Sequence, residues 1–214
     1  MTIRTRLTRN MVLTGAAAAL VIGASAGVAL AATTWTVKPG GAIAFSGSAQ
    51  VKDATNSAHV VAKCTSVKMS GSVKKGSGLA GAGLGTITKA SFSGCTLAGV
   101  GITVTTHGLP WKLNATSFAK ATGVTTGTIS GIDLVAKTTG CTATLDGTGA
   151  GKNNGRTKIT YTNSTGKIKL LGPGGNLHSW GITPGTCFGV IANGDVQQAS
   201  GSGTVTPKQT ITSP

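Results

Sequence analysis

Two similar cysteine-containing stretches restrict the fold of this chain more than any other feature of its sequence. The first, HVVAKCTSVKMSGS, occupies residues 59–72, and the second, DLVAKTTGCTATLDGT, occupies residues 133–148. In each stretch the tripeptide Val-Ala-Lys precedes the cysteine, and a glycine followed by a hydroxyl residue comes after it. We interpret each stretch as a β-strand that enters a cysteine and a second strand that leaves it.

The cysteines of the chain indicate covalent cross-links. They are Cys64, Cys95, Cys141 and Cys187. An even number in an exported chain predicts a disulfide framework, for which three pairings are possible. We favour Cys64–Cys95 together with Cys141–Cys187, because each disulfide then links residues within one half of the chain. The cysteines lack the closely spaced ligand pairs of zinc sites, so we predict no metal.

Hydrophobic residues alternate with small or polar ones through most of the chain. Ile43, Phe45 and Val51 share one parity, and Trp111 and Leu113 repeat the pattern. This period of two predicts strands, and no segment after residue 32 has a convincing helical period. Thr and Val are frequent and Glu is absent, which favours strands over helices. The sequence therefore predicts an all-β fold, an antiparallel β-sandwich or barrel, preceded by a signal-peptide helix.

The clearest predicted hairpin has Ile159 and Tyr161 on its first strand and Ile168 and Leu170 on its second strand. The turn sequence Asn-Ser-Thr-Gly lies between them. The Gly-rich segment at 74–85 has no such alternation, and we interpret it as a long flexible loop.

Residues 1–32 have the three parts of a secretory signal peptide. Three arginines precede an uncharged, Ala-rich run at 11–32, and the small residues around Ala31 fit a signal-peptidase site. We therefore predict a secreted, extracellular protein, with cell-wall association as one option. The alternative is a membrane anchor formed by uncleaved residues 11–32, a run that is long enough to span a bilayer.

One secreted β domain is predicted after the signal peptide, at 33–205, followed by a C-terminal tail or edge strand at 206–214. Tryptophans and cysteines recur at nearly the same offset, which suggests two related halves, 35–108 and 109–205. The last cysteine of each half breaks this register, and Gly/Thr/Val-rich sequence produces such matches by chance. Both interpretations therefore stay open.

The formal net charge of +15 favours solubility and weak attraction to anionic polymers. We predict anion contacts at Lys74, Lys75, Lys152 and Arg156, with anionic cell-wall polymers or a membrane surface as partners. A solvated charged surface is the alternative interpretation of these residues. Aromatic residues that could stack on bases are few, so a nucleic-acid partner is not expected. The oligomeric state does not follow from the sequence.

Catalytic patterns are not recognisable in the sequence. No Gly-x-Ser-x-Gly motif follows a predicted strand. The histidines available to a hydrolase are His59, His107 and His178, of which we interpret His59 and His178 as surface or packing residues. Four scattered aspartates without any glutamate do not favour the paired carboxylates of glycoside cleavage. We predict a non-enzymatic protein without a cofactor. A hydrolase, in which a histidine meets a serine and an aspartate in space, is the third-ranked hypothesis.

Several segments resemble the uncharacterised secreted β-rich proteins of actinobacteria. They are WTVKPGG (35–41), GLPWKLNATS (108–117), GVTTGTISGI (123–132), GCTATLDGT (140–148), NSTGKIKL (163–170) and TPKQTITSP (206–214). Together they span nearly all of the chain after the signal peptide. The resemblance implies export and a β fold, and it brings no catalytic residues.

Two functional hypotheses lead. The first is a secreted structural or binding protein at or near the cell surface that contacts anionic wall polymers. The second is a carrier of a small apolar molecule or lipid, which a cavity lined by Trp, Phe and Leu would favour and a solid core would exclude. Trp35, Trp111, Trp180 and Tyr161 fit either the core of a small β protein or the wall of such a cavity.

Overall fold

The computed structural model describes residues 33–54, 60–183, 187, 189 and 191–214. The predicted signal peptide and His59 lie outside the described residues. Within these ranges the regular structure is β-strand throughout, and the prediction of an all-β antiparallel fold is confirmed. No helix in the described part of the chain is both long and apolar enough to cross a membrane. Ala32–Pro214 forms a single compact unit.

The described residues form strands in the following order. The first seven are β1 (Thr34–Lys38), β2 (Gly41–Asp53), β3 (Val60–Val73), β4 (Gly76–Ala80), β5 (Gly85–Leu97), β6 (Val100–Gly101) and β7 (Thr103–His107). The next seven are β8 (Trp111–Ala119), β9 (Val124–Thr138), β10 (Cys141–Asp146), β11 (Gly155–Thr162), β12 (Lys167–Thr183), β13 (Val196–Thr206) and β14 (Thr210–Thr212).

Eight of these strands close into a ring by antiparallel pairing. Around the ring they follow the order β9, β8, β5, β3, β2, β13, β12 and β11, and β11 pairs with β9 to close it. Closure matters because it pairs both edges of each of these strands and removes the free edges that favour aggregation. Strands from both predicted halves of the chain contribute to this one ring.

The ring has two tiers that share strand β9. Residues 124–132 of β9 pair with β8 and β11, whereas residues 133–138 of β9 pair with β7 and β10. We call the tier of β7 and β10 the disulfide end, because both disulfides lie there, and we call the opposite tier the capped end. Side chains along each strand alternate between the interior and the outer face. On β13, for example, Gln197, Ala199 and Val205 are buried, whereas Ser202 and Thr204 are exposed.

Both disulfides match the pairing that we favoured from the sequence. Cys64 and Cys95 face each other across β3 and β5, and Cys141, the first residue of β10, is bonded to Cys187. They close loops of 31 and 46 residues. The chain-entropy model assigns about 4 kcal/mol of stabilisation to each such loop. The disulfide end is therefore held together covalently.

A second, small sheet of β14, β1 and β4 packs against the capped end. Trp35, Val37 and Ile211 of this sheet join the buried cluster that includes Phe45 and Tyr161 of the ring. Strand β4 lies inside the segment that we interpreted as a flexible loop, so that interpretation was wrong. The reason is that β4 pairs with β1, far away in sequence, and its own residues carry no alternating hydrophobic signal.

The buried hydroxyl of Tyr161 fastens the C-terminal segment to the capped end. It donates a hydrogen bond to the Gln209 carbonyl at 2.9 Å and accepts one from the Gln209 amide at 2.8 Å. Burial raises the pKa of the phenol, and the hydrogen bond with the Gln209 backbone partly offsets this rise. Beside it, the side-chain amide of Asn163 pairs with both backbone groups of Ile211.

We expect the substitution Tyr161→Phe to lower the free energy of unfolding by about 2 kcal/mol, because it leaves two buried backbone groups of Gln209 without a partner. Urea denaturation measures this loss, and amide hydrogen exchange at Gln209 should accelerate. Thr160→Val is the control, since it removes a hydroxyl from the neighbouring outward-facing residue. Unchanged exchange at Gln209 in the Tyr161 variant would contradict the assignment.

Candidate functional site

In the part of the chain that the structure describes, four voids follow one another inside the ring from the disulfide end to the capped end. In that order their volumes are about 100, 90, 40 and 70 Å³. Each neighbouring pair shares lining side chains. The first and second voids share Ala49, Val51, Phe92, Leu134 and Leu145; the second and third share Phe45, Met69 and Ile129; the third and fourth share Ile43, Leu113, Ile168 and Val205.

These interior voids are apolar. Almost all of the exposed wall is carbon, contributed by Ile, Leu, Val, Phe, Met and Ala side chains. Each void exceeds the roughly 10–15 Å³ that one water molecule needs, but water also requires polar partners, and apolar cavities stay dry. An engineered apolar cavity of about 150 Å³ binds benzene. The voids are thus apolar spaces that only shared lining side chains separate from one another.

The disulfide end carries the exposed apolar residues of the ring. Val100 is 44% exposed and Val196 is 41% exposed, and these are the large hydrophobic side chains that stand out as exposed in the described residues. Val100 pairs with Leu97 on β5, and Leu97 lines the first void. Val196 adjoins Gln197, which lines the same void. The first void is therefore bordered by apolar surface at the end that the small sheet does not cover.

A few polar side chains face this apolar interior without a partner. Gln197 is 3% exposed, and neither its side-chain nitrogen nor its oxygen has a hydrogen-bond partner among the described residues. The hydroxyls of Thr125 and Thr157, which line the fourth and second voids, are also unpaired there. Gln197 was not among the residues predicted from the sequence, although its parity with Ala199 and Val205 was a usable signal.

The residues predicted to contact anions do not form one surface. Lys74 and Lys75 follow β3, whereas Lys152 and Arg156 lie just before and at the start of β11, and all four side chains are exposed. Strands β3 and β11 are diametrically opposite in the eight-strand ring. The structure instead brings Lys68 together with other polar residues in an outer groove of about 670 Å³. This groove is lined by Ala44, Ser46, Lys68, Ser70, Lys89, Ser91, Thr204 and Thr206, among others.

His107 and His178 lie on the outer face of the disulfide end. His107 is exposed and lies opposite Asp133 in the register of β7 and β9, and His178 lies opposite Asp146 in the register of β12 and β10. The Nδ1 atom of His178 is 2.9 Å from the Asn176 carbonyl oxygen. In the described residues, no group of three or more His, Cys, Asp or Glu side chains has a geometry that could hold a metal ion.

Asp146 organises the connection between β10 and β11. Its fully buried carboxylate accepts hydrogen bonds from the backbone amides of Gly147, Asn153, Asn154 and Gly155, at 2.6 to 3.0 Å. Hydrogen bonds to an ionised acceptor are stronger than those between neutral groups. The loop is thus shaped by one side chain, and its carboxylate oxygens are occupied by the protein itself.

Asp133 is a buried carboxyl at the junction of the two tiers. Burial raises its pKa, the nearby Asp146 raises it further, and His107 partly lowers it. Its Oδ1 atom has no hydrogen-bond partner among the described residues. The side chain lies on the opposite face of β9 from Leu134, which lines the interior. It therefore belongs to the outer wall and does not contribute to the voids.

The aromatic residues divide between the interior and the surface. Trp35 packs in the core of the capped end, Trp111 lines the second void and Tyr161 lines the fourth. Trp180 is only partly buried, and its indole nitrogen donates to the Gly147 carbonyl at 3.0 Å. The predicted set therefore does not form one cleft, although two of its members border the interior voids.

Comparison with known proteins gives one match. Residues 8–213 match the family model described as alkane oxidation protein activator PraA/PraB-like. The chain belongs to the PraA/PraB-like family. No curated protein and no solved structure matches the chain. The family description names an activator and carries no catalytic residues to this chain.

The raised pKa of Asp133 predicts a pH dependence of stability. Because the folded-state pKa of Asp133 lies above the unfolded value of about 4, its contribution to the free energy of unfolding is fully present below about pH 4. The contribution is lost as the pH rises through the folded-state pKa. Asp133→Asn cannot ionise, so we expect its free energy of unfolding to lack this decline. Urea denaturation between about pH 4 and pH 7 compares the two proteins.

The control for this measurement is Asp195→Asn, which leaves Asp133 in place and should retain the decline of the unmodified protein. An equal decline in the Asp133 variant would show that another group causes it.

Proposed function

We propose that this protein is a non-catalytic binder of unbranched hydrocarbon chains, which it holds in the interior of the ring, and that it acts outside the cytoplasm in support of alkane oxidation. The observation that carries the proposal is the succession of apolar voids with shared walls. The family description, which names an activator of alkane oxidation, supports a hydrocarbon as the ligand. The two disulfides are consistent with an oxidising, extracellular location.

A chain-like ligand fits the voids better than a compact one. The voids are individually too small for a drug-sized molecule, which needs roughly 300–1,000 Å³. They follow one another, however, and an alkyl chain is about as narrow as the side chains that separate them. Each methylene that leaves water contributes about 0.8 kcal/mol, so even a partly enclosed chain binds measurably.

Binding requires the side chains between the voids to move. Phe92 separates the first void from the second, and Met69 separates the second from the third. Both are only partly buried. Methionine is flexible and adapts to irregular apolar space, so Met69 is suited to this role. The bound chain replaces the contacts that these side chains give up.

The proposal is tested by displacement of a fluorescent apolar probe with n-undecane. We expect Ala136→Leu, which fills part of the first void, to weaken n-undecane binding by about tenfold, because the larger side chain displaces about two methylenes of the ligand, each worth about 0.8 kcal/mol. Val135→Leu is the matched control, since Val135 lies between Leu134 and Ala136 but on the outer face. Absence of n-undecane binding to the unmodified protein would refute the proposal.

Contact with anionic wall polymers is a second candidate function, favoured by the outer groove. In that groove Lys68 lies opposite Ser91 and Lys89 lies opposite Ser70, so hydroxyl donors surround two cations. We expect the double variant Lys68→Gln with Lys89→Gln to be retained less than the unmodified protein on isolated cell walls at low salt. Lys74→Gln with Lys75→Gln is the charge-matched control. Equal retention of the two variants would show that Lys68 and Lys89 of the groove do not bind the wall polymers preferentially.

A further inference from the structure

Gln197 is an unusual residue to find on the wall of an apolar void. Its side chain faces the interior, because it shares the parity of Ala199 and Val205 on β13. It lines the first void together with hydrocarbon side chains such as Leu97, Ile102 and Ile191. A buried amide without partners costs about 1–3 kcal/mol for each unpaired polar atom. Such a cost needs an explanation that packing alone does not give.

We infer that Gln197 receives the polar head of the bound chain, and that the preferred ligand is a primary alcohol with an unbranched alkyl tail. This inference rests on the proposed function, since it assigns a chemical class to the ligand of the same interior. A hydroxyl group is both a donor and an acceptor, and Gln197 presents an NH₂ and a carbonyl oxygen that both lack a partner in the part of the chain that the structure describes. One hydroxyl therefore satisfies both atoms of the amide.

The position of Gln197 sets the orientation of the ligand. The residue is second in β13, at the disulfide end, and the other three voids extend from there toward the capped end. A head held by Gln197 thus directs the alkyl tail into the apolar interior. Ser179, which is buried and lines the same void, provides a further polar group near the head.

The neighbourhood of Gln197 disfavours a fatty acid. Asp53 is buried and lies directly opposite Gln197 in the pairing of β2 with β13. An ionised carboxylate buried in an apolar void is costly unless a cation pairs with it, and none of the described residues that line the first void is a Lys, Arg or His. A neutral hydroxyl avoids this cost. A plain alkane, in turn, leaves the amide of Gln197 unpaired.

The test compares n-decanol, n-undecane and decanoate, whose tails are similar in length, by displacement of the same fluorescent probe. We expect Gln197→Met to weaken n-decanol binding by about tenfold and to leave n-undecane binding undiminished, because methionine keeps the length of the side chain and removes both hydrogen bonds. Gln198→Met, on the neighbouring outer-facing residue, should change neither affinity. Decanoate should bind the unmodified protein about tenfold more weakly than n-decanol does.

A second measurement does not depend on the variant's folding. In the NMR spectrum of the unmodified protein, n-decanol should shift the side-chain amide resonances of Gln197 downfield, as hydrogen bonding does, whereas n-undecane should cause a smaller shift without this downfield direction.

The outcomes separate this inference from the proposed function. If n-undecane and n-decanol both bind and Gln197→Met weakens them by the same factor, the interior binds chains but Gln197 does not recognise the head. Tighter binding of decanoate than of n-decanol would show that the preferred ligand is a fatty acid, and this result would overturn the inference. If none of the three ligands displaces the probe, the proposed function fails together with it.

Discussion

The whole ring depends on strand β9, which is shared by both tiers. Its first part is hydrogen-bonded to β8 and β11, and its last part to β7 and β10. The connections from β7 to β8 and from β10 to β11 therefore pass from one tier to the other beside β9. Asp133 lies on β9 at this crossing, and Asp146 shapes the adjacent connection through four backbone hydrogen bonds. The Asp146 side chain thus provides the hydrogen-bond acceptors for four backbone amides of this connection.

The composition of the inward-facing positions explains why the ring has voids. Protein interiors normally reach a packing density of about 0.74, and an eight-stranded ring encloses just enough space for side chains to fill. Here several inward positions are alanines, including Ala49, Ala136, Ala143 and Ala199. Gly203 likewise makes room for the ring of Phe45, which a β-carbon at that position would meet. The disulfides and the cap provide stability that a fully packed interior would otherwise supply.

Local patterns in the sequence predicted the strands but not their closure into a ring. The hairpin of β11 and β12 was predicted with its two strands and its turn, and the structure adds the register, with Ile159 opposite Leu170 and Tyr161 opposite Ile168. Alternation is a local signal, and it is strong where one face is buried. By contrast, β5 and β8 pair through only three residue pairs, and β1 pairs with β14 from the far end of the chain. Such long-range pairings cannot be predicted from the local alternation pattern of a single sequence.

The same limit applies to the interior site. Its apolar walls follow from alternation, whereas Gln197 belongs to a polar run, Gln197-Gln198, that is typical of a surface. Parity with Ala199 and Val205 favours Gln197 as the inward-facing glutamine, but only the structure shows that it is buried. A buried amide that the fold leaves unpaired lowers stability, and folding alone gives no reason to keep it. The same amide is useful when a ligand supplies its missing partner, because the energy lost in the empty protein is then regained on binding. The least favourable residue of the interior is for this reason the most informative one about its ligand.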